Sequence, residues 1–220
     1  MSELFDWAWV GRNVDVIGRQ LVQHVYLTVL AVGIGLLISI PTSIYVHRHR
    51  RLYGPVTSVA GVLYTIPSLA LFALLLPFTG LGADTAEIGL VSYTLLILIR
   101  NTVVGLDAVP EDVKEAARGM GYTDRELLWR IEFPLALPVI VAGIRIATVT
   151  TIGLVTVTSL IGKGGLGFLM LAGFRGLYPE VAVLVGLVLS VALAVTADGL
   201  ILAAQRVLTP WAAPRRLRAT

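Results

Sequence analysis

A chain of 220 residues that is 56% hydrophobic and only 14% charged, with a mean hydropathy of +0.85, lacks the charge a water-facing surface needs; soluble domains carry about a quarter charged residues. Seventeen Lys and Arg against fourteen Asp and Glu give a net charge of +3, which the bias of basic residues toward cytoplasmic loops accounts for without nucleic acid as a partner. Zero cysteines exclude a disulfide framework and thiolate chemistry. The chain is expected to be all-α and embedded in a lipid bilayer.

Residues 1–20 are polar and mixed in charge, without the basic start and short apolar core of a cleavable signal. Five apolar runs then reach the roughly 20 residues that cross a hydrocarbon core: Val22–Val46, Val56–Phe78, Ile88–Leu106, Leu137–Gly162 and Val181–Leu208. The connectors are short and punctuated by Gly and Pro, so residues 1–220 read as a single domain with a core of about 21–210. Five spans do not divide into the two equal inverted halves of many secondary transporters.

Basic residues set the orientation. Arg48, Arg50, Arg51, Lys114, Arg118, Arg125, Arg130, Arg206, Arg215, Arg216 and Arg218 make eleven on one side, against four (Arg12, Arg19, Lys163 and Arg175) on the other. The N-terminus is therefore expected outside and the C-terminus in the cytoplasm, with the polar loop 107–136 cytoplasmic.

That loop, which contains "EAARGMGYTDRELLWRIEFP" (115–134), is far more organised than a solvated connector requires. Pro110 suits a first helical turn, and Glu111 and Asp112 complement the helix dipole there. Gly119 and Gly121 both offer a stop, with Gly121 the preferred site of positive φ. Thr123 and Glu126 have the spacing of a capping box. Leu127, Leu128 and Ile131 provide an apolar face, and Pro134 is expected to end the second helix. The pattern predicts a short helix over about Asp112–Met120, a glycine hinge and another helix.

Glu115-Ala116-Ala117, Gly121, Ile131 and Pro134 match the EAA loop of binding-protein-dependent ABC importer permeases, with Phe133 in place of the usual Leu. "YTIPSLALFALL" (64–75), "LILIRNT" (96–102), "LALPVIVAGIR" (135–145) and "LIGKGGLG" (160–167) resemble the osmoprotectant branch, importers of glycine betaine, choline, carnitine and related compounds. Lys163 stands where that branch often has a small residue. The resemblance, over roughly Leu21–Pro210, implies a permease subunit in the bacterial cytoplasmic membrane that binds no cofactor of its own. Its implied partners are a dimer of ABC ATPase subunits carrying ATP and Mg, a second permease copy or homologue, and an extracellular substrate-binding protein. It also implies that Glu115, Ala116, Ala117, Arg118, Gly119, Gly121, Ile131 and Pro134 couple the chain to the ATPase. A permease for another small solute such as methionine, a secondary transporter and a membrane-embedded enzyme are the alternatives.

Three further groups stand out. Tyr64, Thr65, Pro67 and Ser68 form a polar, kinkable cluster in the second run; Pro67 frees a carbonyl, which is tolerable where a helix faces a cavity. Thr148, Thr151 and Thr158 recur with Val155 at helical spacing, a stripe as consistent with bonding to the preceding turn as with lining a pore. Both groups are candidates for a translocation pathway. Arg100, Arg145 and Asp198 lie within spans, where a charge is expensive and needs a partner; an interhelical ion pair holding the last three spans in register is expected, with a gate as the sharper reading. "GKGGLG" lacks the Ser or Thr and the spacing of a phosphate loop, and its glycines suit a compact external turn where a binding protein docks. His24, His47 and His49 are too scattered for a metal site, no G-x-S-x-G is present, and Glu111, Asp112 and Glu115 read as helix-surface carboxylates, so no catalytic residue is assigned.

Overall fold

In hydrocarbon a backbone must satisfy its own N–H and C=O groups, which helices do within one segment, and the apolar runs accordingly fold as helices in a computed structural model that describes residues 6–212. The elements are α1 (Trp7–Arg12), α2 (Val14–Arg48), α3 (Tyr53–Thr65), α4 (Ser68–Thr79), α5 (Ala83–Asp107), α6 (Glu111–Gly119), α7 (Asp124–Leu127), α8 (Phe133–Val157), α9 (Leu166–Phe174) and α10 (Val181–Leu208), with no strand among the described residues. Arg215, Arg216 and Arg218, part of the expected cytoplasmic charge, lie outside the described residues.

Helices α2, α5 and α8 form the centre. Leu27, Ala31, Phe72, Leu90, Val155 and Ile161 share one buried cluster. Gly35 of α2 lies against Thr94 of α5, where a Cβ would stand 2.1 Å from the threonine hydroxyl, so the two backbones approach as only small residues permit. Among the long spans α5 is the most enclosed, with 56% of its apolar window buried, and α10 the least, with 22%. Helix α10 packs on α8 and α9 and leaves most of its surface uncovered by this chain.

Four expectations are corrected. The second run is not one continuous span: α3 and α4 meet at 96° because Ile66 and Pro67 are extended, at ψ 127 and 133, as a residue before proline prefers. Pro134 does not end a helix. Residues Leu128–Glu132 widen into a π turn that joins α7 directly to α8, with Pro134 in the first turn of the latter; a π turn relieves the clash of a proline ring with the carbonyl four residues back. The first span starts eight positions before the expected Val22, at Val14. Finally, the connector after the fourth span contains α9, held between α2, α8 and α10.

Candidate functional site

The polar loop builds a freestanding helix with a defined stop. Pro110 is the N-cap of α6, at φ −59 and ψ 140, and Glu111 and Asp112 fill the first turn. Beyond Gly119, Gly121 has φ +87; its N–H donates to the Arg118 carbonyl at 2.9 Å and the Tyr122 N–H to the Ala117 carbonyl at 3.2 Å. These are the paired bonds of a Schellman stop, for which glycine is favoured because a Cβ strains the left-handed conformation. Ala117 is buried, whereas Asp112, Glu115, Ala116, Arg118 and Gly119 are exposed. Lys114 and then Arg118 hydrogen-bond Glu111 and hold its carboxyl below the usual carboxylate range. Helix α6 therefore presents small residues flanked by charge, with little of that face covered by this chain.

The second half anchors the first. Thr123 accepts from the Glu126 N–H, and its own N–H donates to the Glu126 carboxylate at 3.1 Å, completing the capping box. Leu127 and Leu128 are buried, and Leu128 packs with Leu106, Ala136 and Ile140. Ile131 is half-buried in the π turn. Because that turn runs on into α8 without a break, a displacement of α7 is passed to a span by covalent continuity.

Around the 96° bend, the Ile66 carbonyl, left open where the helix breaks, accepts from the Tyr93 hydroxyl of α5. The Tyr64 and Tyr93 rings meet edge to face at 5.8 Å. Tyr64, Thr65 and Pro67 are exposed and Ser68 is half-buried. Tyr93, not assigned to this group from sequence, is the residue that holds the bend.

Thr148, Thr151 and Thr158 all face the interior of this chain. Thr148 donates to the Ile144 carbonyl at 2.8 Å, and Thr158 donates to the Val155 and Lys163 carbonyls. Arg145 of α8 and Asp198 of α10 form a bidentate pair at 2.7 and 2.8 Å, in a shallow recess lined also by Ala142, Ile146, Val149 and Thr150. The expected three-span register pair is thus a two-span pair. Arg100 is exposed on α5 and has no hydrogen bond or ion pair among the described residues.

At the opposite end, His24 holds the "GKGGLG" turn. The Leu166 N–H donates to Nδ1 at 3.3 Å, which leaves Nε2 to carry the proton and donate to the Ile152 carbonyl at 3.0 Å. The ring is fully buried and joins α2, α8 and α9. Gly165 has φ +46, and a Cβ there would stand 2.7 Å from His24 Cβ. A lone histidine in an apolar run carries no sequence signal for such a role. No cluster of three or more His, Cys, Asp or Glu fit to hold a metal occurs among the described residues.

A helical bundle with a bent second span and a water-facing helix–glycine–helix loop fed directly into a span is the fold of an ABC importer permease. It superposes on the inward-facing MetNI methionine ABC transporter with a TM-score of 0.82 at 23% identity, covering 90% of this chain and 98% of that one. The family model of the binding-protein-dependent transport system inner membrane component matches residues 31–210, and the chain belongs to that family. It is similar to the osmoprotectant import permease protein OsmW of Salmonella typhimurium, 39% identical over 204 residues, 90% of this chain and 94% of that protein. It is also similar to two Bacillus subtilis proteins. One is the choline transport system permease protein OpuBB, at 35% identity over 86% of each chain. The other is the glycine betaine/carnitine/choline transport system permease protein OpuCD, at 35% identity over 92% of this chain and 88% of that one.

Proposed function

We propose that this chain is the permease subunit of an ATP-driven importer for a small quaternary-ammonium osmoprotectant such as glycine betaine, choline or carnitine. The observation that carries the reading is the near end-to-end similarity to OsmW at 39% identity, joined to an exposed α6 with a Schellman stop. The fold neighbour handles methionine, but at 23% identity it speaks for the fold alone.

In this reading α6 is the coupling helix. Its face of Glu115, Ala116 and Gly119 seats in a groove of an ATPase subunit, which holds ATP and Mg, and Gly121 aims it. Two permeases pair around the pathway, two ATPases sit beneath, and a binding protein delivers cargo from outside. ATP binding draws the ATPases together, and the coupling helices convert that into alternating access. The Arg145–Asp198 pair is only partly covered by this chain, at 29% and 36% side-chain exposure. Charges at that depth avoid hydrocarbon, so the recess faces the second permease or a water-filled passage, as a gate does. The bend at Tyr64, Thr65, Pro67 and Ser68 lines the same passage.

A quaternary ammonium has no N–H to donate, so its recognition depends on aromatic faces. The last two apolar runs, Leu137–Gly162 and Val181–Leu208, contain no Phe, Trp or Tyr, which supports leaving tight selection to the binding protein. The test is reconstitution of the complete complex in vesicles. Loaded binding protein is expected to stimulate ATP hydrolysis and drive uptake of labelled betaine, choline or carnitine; uptake of methionine alone would overturn the substrate class. Single cysteines at Lys163 and Arg125, in this cysteine-free chain, should react with an impermeant thiol reagent from opposite sides, and reaction of both from outside would reject the orientation.

A further inference from the structure

Helix α8 is covalently continuous with the coupling loop, but α2 is not, and it is nevertheless fastened to both ends of that loop by side chains alone. At the loop's entry, Asp107 ends α5, where a carboxylate opposes the negative end of the helix dipole. It is held there by contacts from the end of α2 and just beyond: His47 Nδ1 donates to it at 2.7 Å and the Arg50 guanidinium grips both its oxygens. At the loop's exit, the His47 Nε2 edge faces the Glu132 carboxylate of the π turn at 3.9 Å, both side chains being 10% exposed. Arg48 donates to the Asp124 carbonyl of α7 at 3.2 Å. His47, Arg48, Arg118, Asp124, Leu127 and Glu132 together line one cleft of about 300 Å³.

None of these contacts is needed to form the loop, which has its own stop and its own capping box. What they do is tie α2 to it. Twenty-three residues back along the same helix, about 35 Å at 1.5 Å per residue, His24 makes the corresponding tie to the opposite end, through Leu166 and Ile152. Between the two histidines α2 is one unbroken helix that continues through Pro41, whose ring is exposed.

We infer that α2 is a lever with a histidine clasp at each end: His47, with Asp107 and Arg50, makes the helix follow the coupling loop, and His24 makes the "GKGGLG" turn follow the helix. His47 and Asp107 are positioning residues for the transport cycle, touching neither cargo nor nucleotide. The inference rests on the proposed importer reading, because it needs an ATPase that moves the loop.

The experiment uses the complete complex of permease, ATPase and binding protein in nanodiscs and in vesicles. His47→Leu and Asp107→Arg are expected to retain basal ATP hydrolysis but lose severalfold in stimulation by loaded binding protein and in solute imported per ATP. Adding Arg50→Asp to Asp107→Arg, which restores the pair with its charges exchanged, should recover both. Spin labels on cysteines at Arg51 and Arg125, exposed positions outside the clasp, should give one narrow distance that is the same with and without trapped ATP. Wild-type stimulation and stoichiometry in His47→Leu, no recovery in the exchanged pair, or an Arg51–Arg125 distance that changes on ATP trapping would each overturn the lever. The distance measurement keeps its force if a clasp variant fails to assemble. A wild-type complex whose hydrolysis ignores the loaded binding protein would instead count against the importer reading itself.

Discussion

At the polar loop 107–136, Gly121 turns the chain at φ +87 with nothing within 4 Å of where a Cβ would stand; at the other end of the bundle, Gly165 turns it at φ +46 with His24 Cβ 2.7 Å from that point. Both turns follow a helical segment, and both need glycine. The first needs it for backbone conformation alone, and everything around it is local: two carbonyls three to five residues away and a capping box. The second needs it for space as well, because the α2 backbone and Cβ at His24, 141 positions earlier, occupy the volume. A turn closed by its own neighbours keeps its shape when the loop that contains it is displaced. A turn wedged on three helices cannot move unless they do, which suits one to receive a push and the other to transmit it.

The contrast is broken most directly at Gly165. Gly165→Ala combines a left-handed alanine with overpacking against His24, for a loss of about 3 kcal/mol, read as a lower unfolding temperature of the detergent-solubilised protein. An unchanged temperature would mean that the turn is not wedged. His24→Leu is next, at about 2 kcal/mol, because it leaves the buried Leu166 N–H without an acceptor. In the double variant the two losses should fall short of their sum, because a displaced turn has already pulled the Leu166 N–H off the His24 ring; strict additivity would mean that this bond survives the glycine change. Gly121→Ala should cost only about 1 kcal/mol, with no clash to add. The protein should insert and assemble normally while uptake is lost or hydrolysis runs without uptake; normal coupled uptake would remove the hinge role.

The smallest effect belongs to Glu111. Its folded-state pKa is depressed, chiefly by Lys114, so its contribution to α6 is present above the ordinary carboxylate pKa of about 4.3 and is lost as pH falls through the lower folded value. Around neutral pH no change is expected. A spin label at Met120 should gain mobility only in acid below that range, and less sharply in high salt, which screens exposed pairs. Mobility that rises between pH 8 and pH 6 would assign the ordering of α6 to another group.

What could be read along the chain follows the same division. The α6 stop, the Thr123–Glu126 cap and most span limits were legible because each depends on residues within about one turn of one another. The pathway and gate candidates were legible only as residue types. Thr148, Thr151 and Thr158 have the right period for a stripe, but period does not say which way a stripe faces, and in this chain it faces inward. Arg100, Arg145 and Asp198 were equally charged and similarly deep, yet only two of them meet.

By itself the sequence determined a membrane-embedded helical chain, the approximate place of its apolar runs, and a capped polar loop with a left-handed glycine, since hydrocarbon forces helices and capping is local chemistry. Tertiary structure alone decided that Pro67 yields a 96° break braced by Tyr93 while Pro134 is absorbed in a π turn, and that His24 and His47 each bond from the α2 helix to other elements. The physical reason is that lipid tails are as apolar as the packed interior. In a soluble chain the alternation of apolar and polar residues reports which face is buried; in a membrane that signal vanishes, and partners 141 residues apart are found only once the helices have packed.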